Sequence, residues 1–489
     1  MYFVPVFYKY ADDFIYIHQD TEAENILCRT IYKRRISNMK NKMVKALVLA
    51  MALTTVSVMG SASIYASETE TAEAAAEESA ESEAGETEDA SDGAESSADA
   101  DQEAADNVAA LIDKIYVQER TDTTDEDCTA AKEAWDALTD SQKELVEGEN
   151  ASPDYFGLDT GDASLDDARN ADEIGENELL VVSFGTSYND SRVEDIKGIE
   201  DALEEAYPDW SVRRAFTAQI IINHVQARDG EAIDNMQQAL DRAVENGVKN
   251  LVVQPTHLMH GAEYDEMIEA LDAYQDQFES VAIAEPLLGE VGDDASVINE
   301  DKAAVAQAVT DAAVADAGYE SMEAAAEDGT AFVFLGHGTA HVAKVSYSQM
   351  QTQMAELGYD NAFIGTVEGE PEETACEAVI AAVKDAGYTK VVLRPLMVVA
   401  GDHANNDMAG SEADSWKSMF ETDGGFESVD CQISGLGGID AVKQLYVEHT
   451  QAAINSMGTA AEDTAAEDTA AEDTVAADTE TEETAEAAE

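Results

Sequence analysis

Five histidines of this chain, His257, His260, His337, His341 and His403, lie near two turns that read as imperfect copies of one another. Imidazole works at neutral pH as a proton acceptor or as a metal ligand. The apolar run Glu178–Thr186 ends in Ser183, Phe184, Gly185 and Thr186, and the run Thr330–Thr339 ends in Gly336, His337, Gly338 and Thr339. A second pair of runs, Asn250–Glu263 and Lys390–His403, keeps Pro255 in step with Pro395 and Gly261 with Gly401. In this alignment Phe184 stands opposite His337, and Glu263 opposite His403. The later copy therefore carries imidazoles at two strand ends, and Glu368 follows a further apolar run of that copy. Two imidazoles and a carboxylate suit Co2+, Fe2+, Ni2+ or Zn2+ and leave coordination positions open for a substrate. Taken singly, each histidine also reads as a structural residue at a strand end.

Other signals are weaker. The turns 183–187 and 336–339 could cradle an anion through backbone N–H groups, or serve as tight strand-to-helix turns where Gly and Thr are expected. Neither is a GxGxxG or Walker loop. Ser183, Ser187 and His337 do not make a common hydrolase, because no GxSxG elbow is present. Asp402 could orient the His403 imidazole as an acceptor or cap the following helix. Arg213 and Arg214 form an unusual basic spot, open to substrate carboxylates or, more simply, paired with local acids. Cys28, Cys128, Cys376 and Cys431 show no zinc spacing, and a Cys376–Cys431 bridge is left open.

Positioning these residues requires strands that end beside one another. Leu179–Phe184, Leu251–Gln254, Val281–Ala284, Phe332–Leu335, Ala362–Val367, Val391–Leu393 and Val429–Ile433 have the length and apolar content of buried strands. Between them, amphipathic stretches predict helices at Ser191–Ala206, Ile233–Glu245, Glu263–Phe278, Lys302–Ala317, Val342–Leu357, Glu373–Ala386 and Gly438–Asn455. Such alternation predicts an α/β fold of two pseudosymmetric halves, 178–325 and 326–458, each a parallel sheet flanked by helices, with a cleft between them. Ligands of open α/β sheets sit outside the carboxyl ends of strands, where both turn motifs fall.

Outside those halves the composition changes. The 489 residues carry a formal net charge of -77. Residues 67–106 hold 16 Asp/Glu, residues 459–489 hold 12, and neither segment has a Lys or Arg. Both are expected to be disordered, having few apolar groups to offset the entropy of ordering. A chain this acidic repels nucleic acid and concentrates divalent cations. Residues 107–150 predict a small helical pair, similar to modules on surface proteins of Gram-positive bacteria and expected to act as a spacer; residues 151–177 read as a linker. Lys40, Lys42 and Lys45 precede the apolar run Ala46–Met59 and small residues up to Ala66. That order predicts a signal peptide over 39–66 and an exported chain, with 1–38 as an upstream extension.

The runs Leu179–Ser187, Arg214–Thr217, Gly336–Gly338, Gly365–Glu368, Pro395–Met408, Asp414–Lys417 and Ser434–Gly437 resemble the anaerobic cobaltochelatase family that inserts Co2+ into sirohydrochlorin. The resemblance spans about 178–457 and implies a ferrochelatase-like fold. It implies that His337, Glu368 and His403 bind the metal, that His337 and His403 are the catalytic residues with His337 as proton acceptor, and that Ser183, Phe184, Gly185, Thr186, His257 and Glu263 line the substrate site. It implies Co2+ as a substrate, no organic cofactor, and a tetrapyrrole as the organic partner; haem is a further expectation at His257, by similarity to exported relatives. Metal binding and proton acceptance both need neutral imidazole, so activity is expected to fall in acid. The export signal supplies a second reading, an exported carrier of haem, another tetrapyrrole or the metal. A purely structural surface protein is a third, and it gives the three ligands no role.

Overall fold

The computed structural model describes residues 92–291 and 296–457. The expected upstream extension, the signal peptide and the tail 459–489 lie outside the described residues.

Two four-stranded parallel sheets form the centre, in the orders β2-β1-β3-β4 and β6-β5-β7-β8. The first contains β1 (Asn177–Ser183), β2 (Ser211–Phe216), β3 (Asn250–Pro255) and β4 (Ser280–Ile283). The second contains β5 (Thr330–Gly336), β6 (Ala362–Thr366), β7 (Lys390–Pro395) and β8 (Ser428–Cys431). The duplication extends to register: Val182 pairs with Pro255 in one sheet and Leu335 with Pro395 in the other. Phe184 and His337 each follow directly on the seven-residue strand that starts their sheet.

Alternation along these strands explains why they are apolar throughout. Leu179 and Val181 face a core that also takes Phe332, Phe334, Val392 and Leu396 from the second sheet, while Leu180 and Val182 face a separate outer core. In β5 the odd positions Ala331, Val333 and Leu335 pack on the outer layer of the second half. Both faces of each sheet are thus covered, as parallel strands with helical crossovers require.

The structure corrects the organisation expected before β1. The segment 67–106 is helical from Asp92, in a helix Asp92–Ile115 that buries Ala105, Val108 and Ile112 against Cys128 and Trp135 of helix Thr124–Ala137. Ala-rich composition favours that helix despite its charge. The pair is not an isolated spacer: Asn223 of helix Gln219–Asp229 donates to the Ile115 carbonyl at 2.8 Å, and the Cys128 thiol to the Asn223 carbonyl at 3.5 Å. The stretch 151–177 is not an open linker, because Phe156 joins that core and Asp166 forms buried ion pairs with Arg192 and Arg214. Cys376 and Cys431 are free thiols.

Candidate metal site between strand ends

In each sheet the strand order reverses beside the first strand, between β1 and β3 and between β5 and β7. That switch point opens a crevice at the carboxyl ends of the two strands. His337 follows β5 and His403 opens the helical segment that comes after β7 and its loop, so the fold delivers both rings to one switch point. Their centroids are 4.6 Å apart, edge to face.

Glycine makes the first turn tight enough. Gly185 and Gly338, at equivalent places, have φ of +100° and +92°, a region open to glycine but costly for other residues. A Cβ on Gly338 would stand 3.0 Å from the Glu368 Cβ and 3.1 Å from the Thr366 Cβ. The close approach brings the β6 end against the His337 turn, where the Glu368 N–H donates to the His337 carbonyl at 2.9 Å. The buried Tyr347 hydroxyl accepts the Gly338 N–H at 3.0 Å. Burial pushes its pKa up to about 12, so it stays a phenol.

Hydrogen bonds set the tautomer of both rings. His337 Nδ1 lies 2.8 Å from the Gly338 carbonyl and His403 Nδ1 lies 2.7 Å from Asp407 Oδ2. Each acceptor calls for a proton on Nδ1, which leaves the lone pair on Nε2. The residue that orients His403 is therefore Asp407, one helical turn onward, rather than its neighbour Asp402. Asp402 accepts from Asn406 at 2.7 Å and borders the Tyr188 phenol. Glu368 is exposed, and its carboxylate is not held at ligand spacing with the two rings. Among the described residues the trio whose ligand atoms all lie within 4.8 Å of one another is His260, Glu285 and Glu290. Glu285 and Glu290 were not singled out in the sequence.

The first half supplies the opposing wall. Ser191 donates to the Ala400 carbonyl at 2.6 Å, and the buried Asp195 accepts the Ala400 N–H at 3.0 Å, so the His403 loop is tied to the helix that follows β1. Gly401 packs on Thr186, whose Oγ1 would be 3.1 Å from a Cβ there. Phe184 leaves 45% of its surface exposed at the tip of its turn. Ser183 points inward instead, its hydroxyl 2.6 Å from that of Thr256. Glu263 is exposed, across from Tyr347. His257 is half-buried, its two ring nitrogens covered and without a hydrogen bond among the described residues; desolvation lowers its pKa to about 4 and keeps it neutral. Arg214 takes no part in this wall: Glu200 and Asp166 hold its guanidinium at 2.6 and 2.8 Å.

A model of the cobalt chelatase (CbiK) family matches residues 177–455. The sirohydrochlorin cobaltochelatase of Salmonella typhimurium is 34% identical over 277 residues, which is 57% of this chain and 96% of that protein. Sirohydrochlorin cobaltochelatase CbiKC of Nitratidesulfovibrio vulgaris is 26% identical over 283 residues, 57% of this chain and 91% of that one. Among solved structures, SirB from Bacillus subtilis with Fe3+ is 15% identical with a TM-score of 0.40, covering 58% of this chain and 98% of that chain.

Proposed function

This chain belongs to the cobalt chelatase (CbiK) family, and we propose that it inserts Co2+ into sirohydrochlorin with release of two protons, the metal-insertion step of corrin synthesis. The observation that carries the reading is the His337–His403 pair, two imidazoles at one switch point with both Nδ1 atoms engaged and both Nε2 lone pairs available. Co2+ is taken first by these nitrogens, with Glu368 turning in as a third ligand. The macrocycle then lies against Phe184 and the strand-end turns 184–186. As each pyrrole N–H loses its proton a nitrogen–cobalt bond forms and a histidine–cobalt bond breaks. The Nε2 lone pair released on His337 accepts one of the two protons, and solvent takes the other. Fe2+ and Ni2+ are competitors for the same ligand set. Haem at His257 would require its covered ring nitrogens to become accessible. The carrier reading rests on the export signal, whose residues lie outside the described ones.

Insertion rate, Co2+ affinity and tetrapyrrole affinity, measured for His337→Ala, Glu368→Gln and His403→Ala, test this reading. Loss of the base should slow insertion by ~10²–10⁴-fold in His337→Ala. Glu368→Gln should chiefly weaken Co2+ binding and recover as Co2+ is raised. Unchanged insertion in both histidine variants would overturn the mechanism.

A further inference from the structure

The first half carries a second cluster of metal-ligating groups, at the other sheet's carboxyl edge. β3 and β4 are parallel neighbours, so the loops that follow them leave side by side. His260 stands in the loop after β3, Glu285 two residues beyond β4, and Glu290 further along that loop. Their donor atoms all lie within 4.8 Å of one another, and His260 Nε2 is 2.7 Å from Glu285 Oε2.

The two loops are built to hold this arrangement. Leu287 N–H donates to the His257 carbonyl at 3.1 Å and Leu288 N–H to the Leu258 carbonyl at 2.9 Å, zipping one loop to the other. The Glu285 carbonyl accepts from Gln254 and His449, each at 3.1 Å, and the Glu290 carbonyl accepts from Lys302 at 3.2 Å and Asn299 at 3.1 Å. Gln254 and Lys302 are fully buried, so the backbone of both glutamates is pinned from inside the fold. The His260 ring packs on Tyr264 at 4.2 Å between centroids. Main-chain bonds do the structural work, which leaves the three side chains free to bind.

Their charges call for a cation. Among the described residues neither glutamate is ion-paired with a Lys or Arg; the only partner is His260, at 2.7 Å from Glu285. Two carboxylates held this close repel by about 1 kcal/mol even in bulk water. An exposed histidine–carboxylate pair contributes little to stability, so folding alone does not account for the cluster. A divalent ion would replace the repulsion with attraction.

We infer that His260, Glu285 and Glu290 form a second divalent-cation site, separate from His337 and His403. One imidazole nitrogen and two carboxylate oxygens select a borderline ion such as Co2+, Zn2+, Ni2+ or Fe2+ over Mg2+ or Ca2+, which prefer all-oxygen sites. The 2.7 Å contact between His260 and Glu285 opens slightly to admit the ion, with the proton of Nε2 moving to Nδ1 or to solvent. The site holds metal whether or not the chain inserts it into a macrocycle.

Equilibrium dialysis of the full chain with Co2+, in millimolar Mg2+ to occupy all-oxygen sites on the acidic segments, counts the tightly bound ions. Two per chain are expected for the parent protein, one for His260→Ala with Glu290→Gln, and one for His337→Ala with His403→Ala. Glu285→Gln alone, which keeps side-chain size, should weaken the second ion by tenfold or more while the circular dichroism spectrum stays unchanged. An ion count that is the same in the parent and in both His260-site variants would overturn the inference. So would a second ion that Mg2+ displaces completely, which would mark an adventitious ion only.

Discussion

Replacing Asp407 by Asn should weaken Co2+ binding without touching a metal ligand. Asp407 Oδ2 lies 2.7 Å from His403 Nδ1, on the next turn of the same helical segment. Its carboxylate holds the proton on Nδ1 and fixes the ring orientation, which leaves the lone pair on Nε2, the atom proposed to face the metal. Acceptors of this kind typically contribute 10–100-fold in metal affinity. The side chains here are 40% and 45% exposed, so solvent screens the pair and the lower end of that range applies. A tenfold loss, about 1.4 kcal/mol, is therefore expected, with the asparagine oxygen still able to accept the Nδ1–H. Asp402→Asn is the internal control, because Asp402 bonds Asn406 instead and its replacement should leave the affinity nearly unchanged. Titration of each variant with Co2+, followed by the visible absorption of the bound ion, gives the dissociation constants. Equal affinities for Asp407→Asn and the parent, or an equal loss in both variants, would refute the assignment of Asp407 as the positioning residue.

Two further outcomes concern stability. Asp195 is buried and desolvation raises its pKa from 3.8 to about 7; the folded state therefore binds more protons than the unfolded one between those values, and stability falls as pH rises through that window and is level above it. Asp195→Asn should remove that slope, stabilising the protein by at most about 4 kcal/mol near pH 8 and not near pH 4, as read from urea unfolding at both; a gain at the acid end alone would contradict this. Asp166→Ala should destabilise by about 3–5 kcal/mol in the same assay, since it removes a carboxylate shared by the buried Arg192 and Arg214; a change under about 1 kcal/mol would show that those guanidiniums are adequately held by their other partners.

What could be read from the sequence, and what could not, divides along a physical line. β1, β5 and β7 were visible because a parallel strand covered on both faces must be apolar at successive positions, and their repeated small-residue turns located His337 and His403 at matching strand ends. β2 was hidden. Its sequence, Ser-Val-Arg-Arg-Ala-Phe over 211–216, places two guanidiniums inside the protein, and a charge neutralised by a distant partner looks in sequence like a solvated one. The partners of Arg214, Asp166 and Glu200, stand 48 and 14 residues away. The same limit applied to the helix from Asp92, whose acidic face obscured the Ala and Ile positions that bury it. It applied again at the sites. Asp407 carried a usable signal, the four-residue spacing from His403 that places both on one face of a helical turn, and adjacency drew attention to Asp402 instead. Glu285 and Glu290 carried none, because what makes them ligand candidates is β3 and β4 lying side by side and the zipping of two loops. Periodicity reports which residues face a core. Which charges meet inside or beyond it is decided by topology, and so the Arg214 cluster and the His260 trio could be found only once the strands were in order.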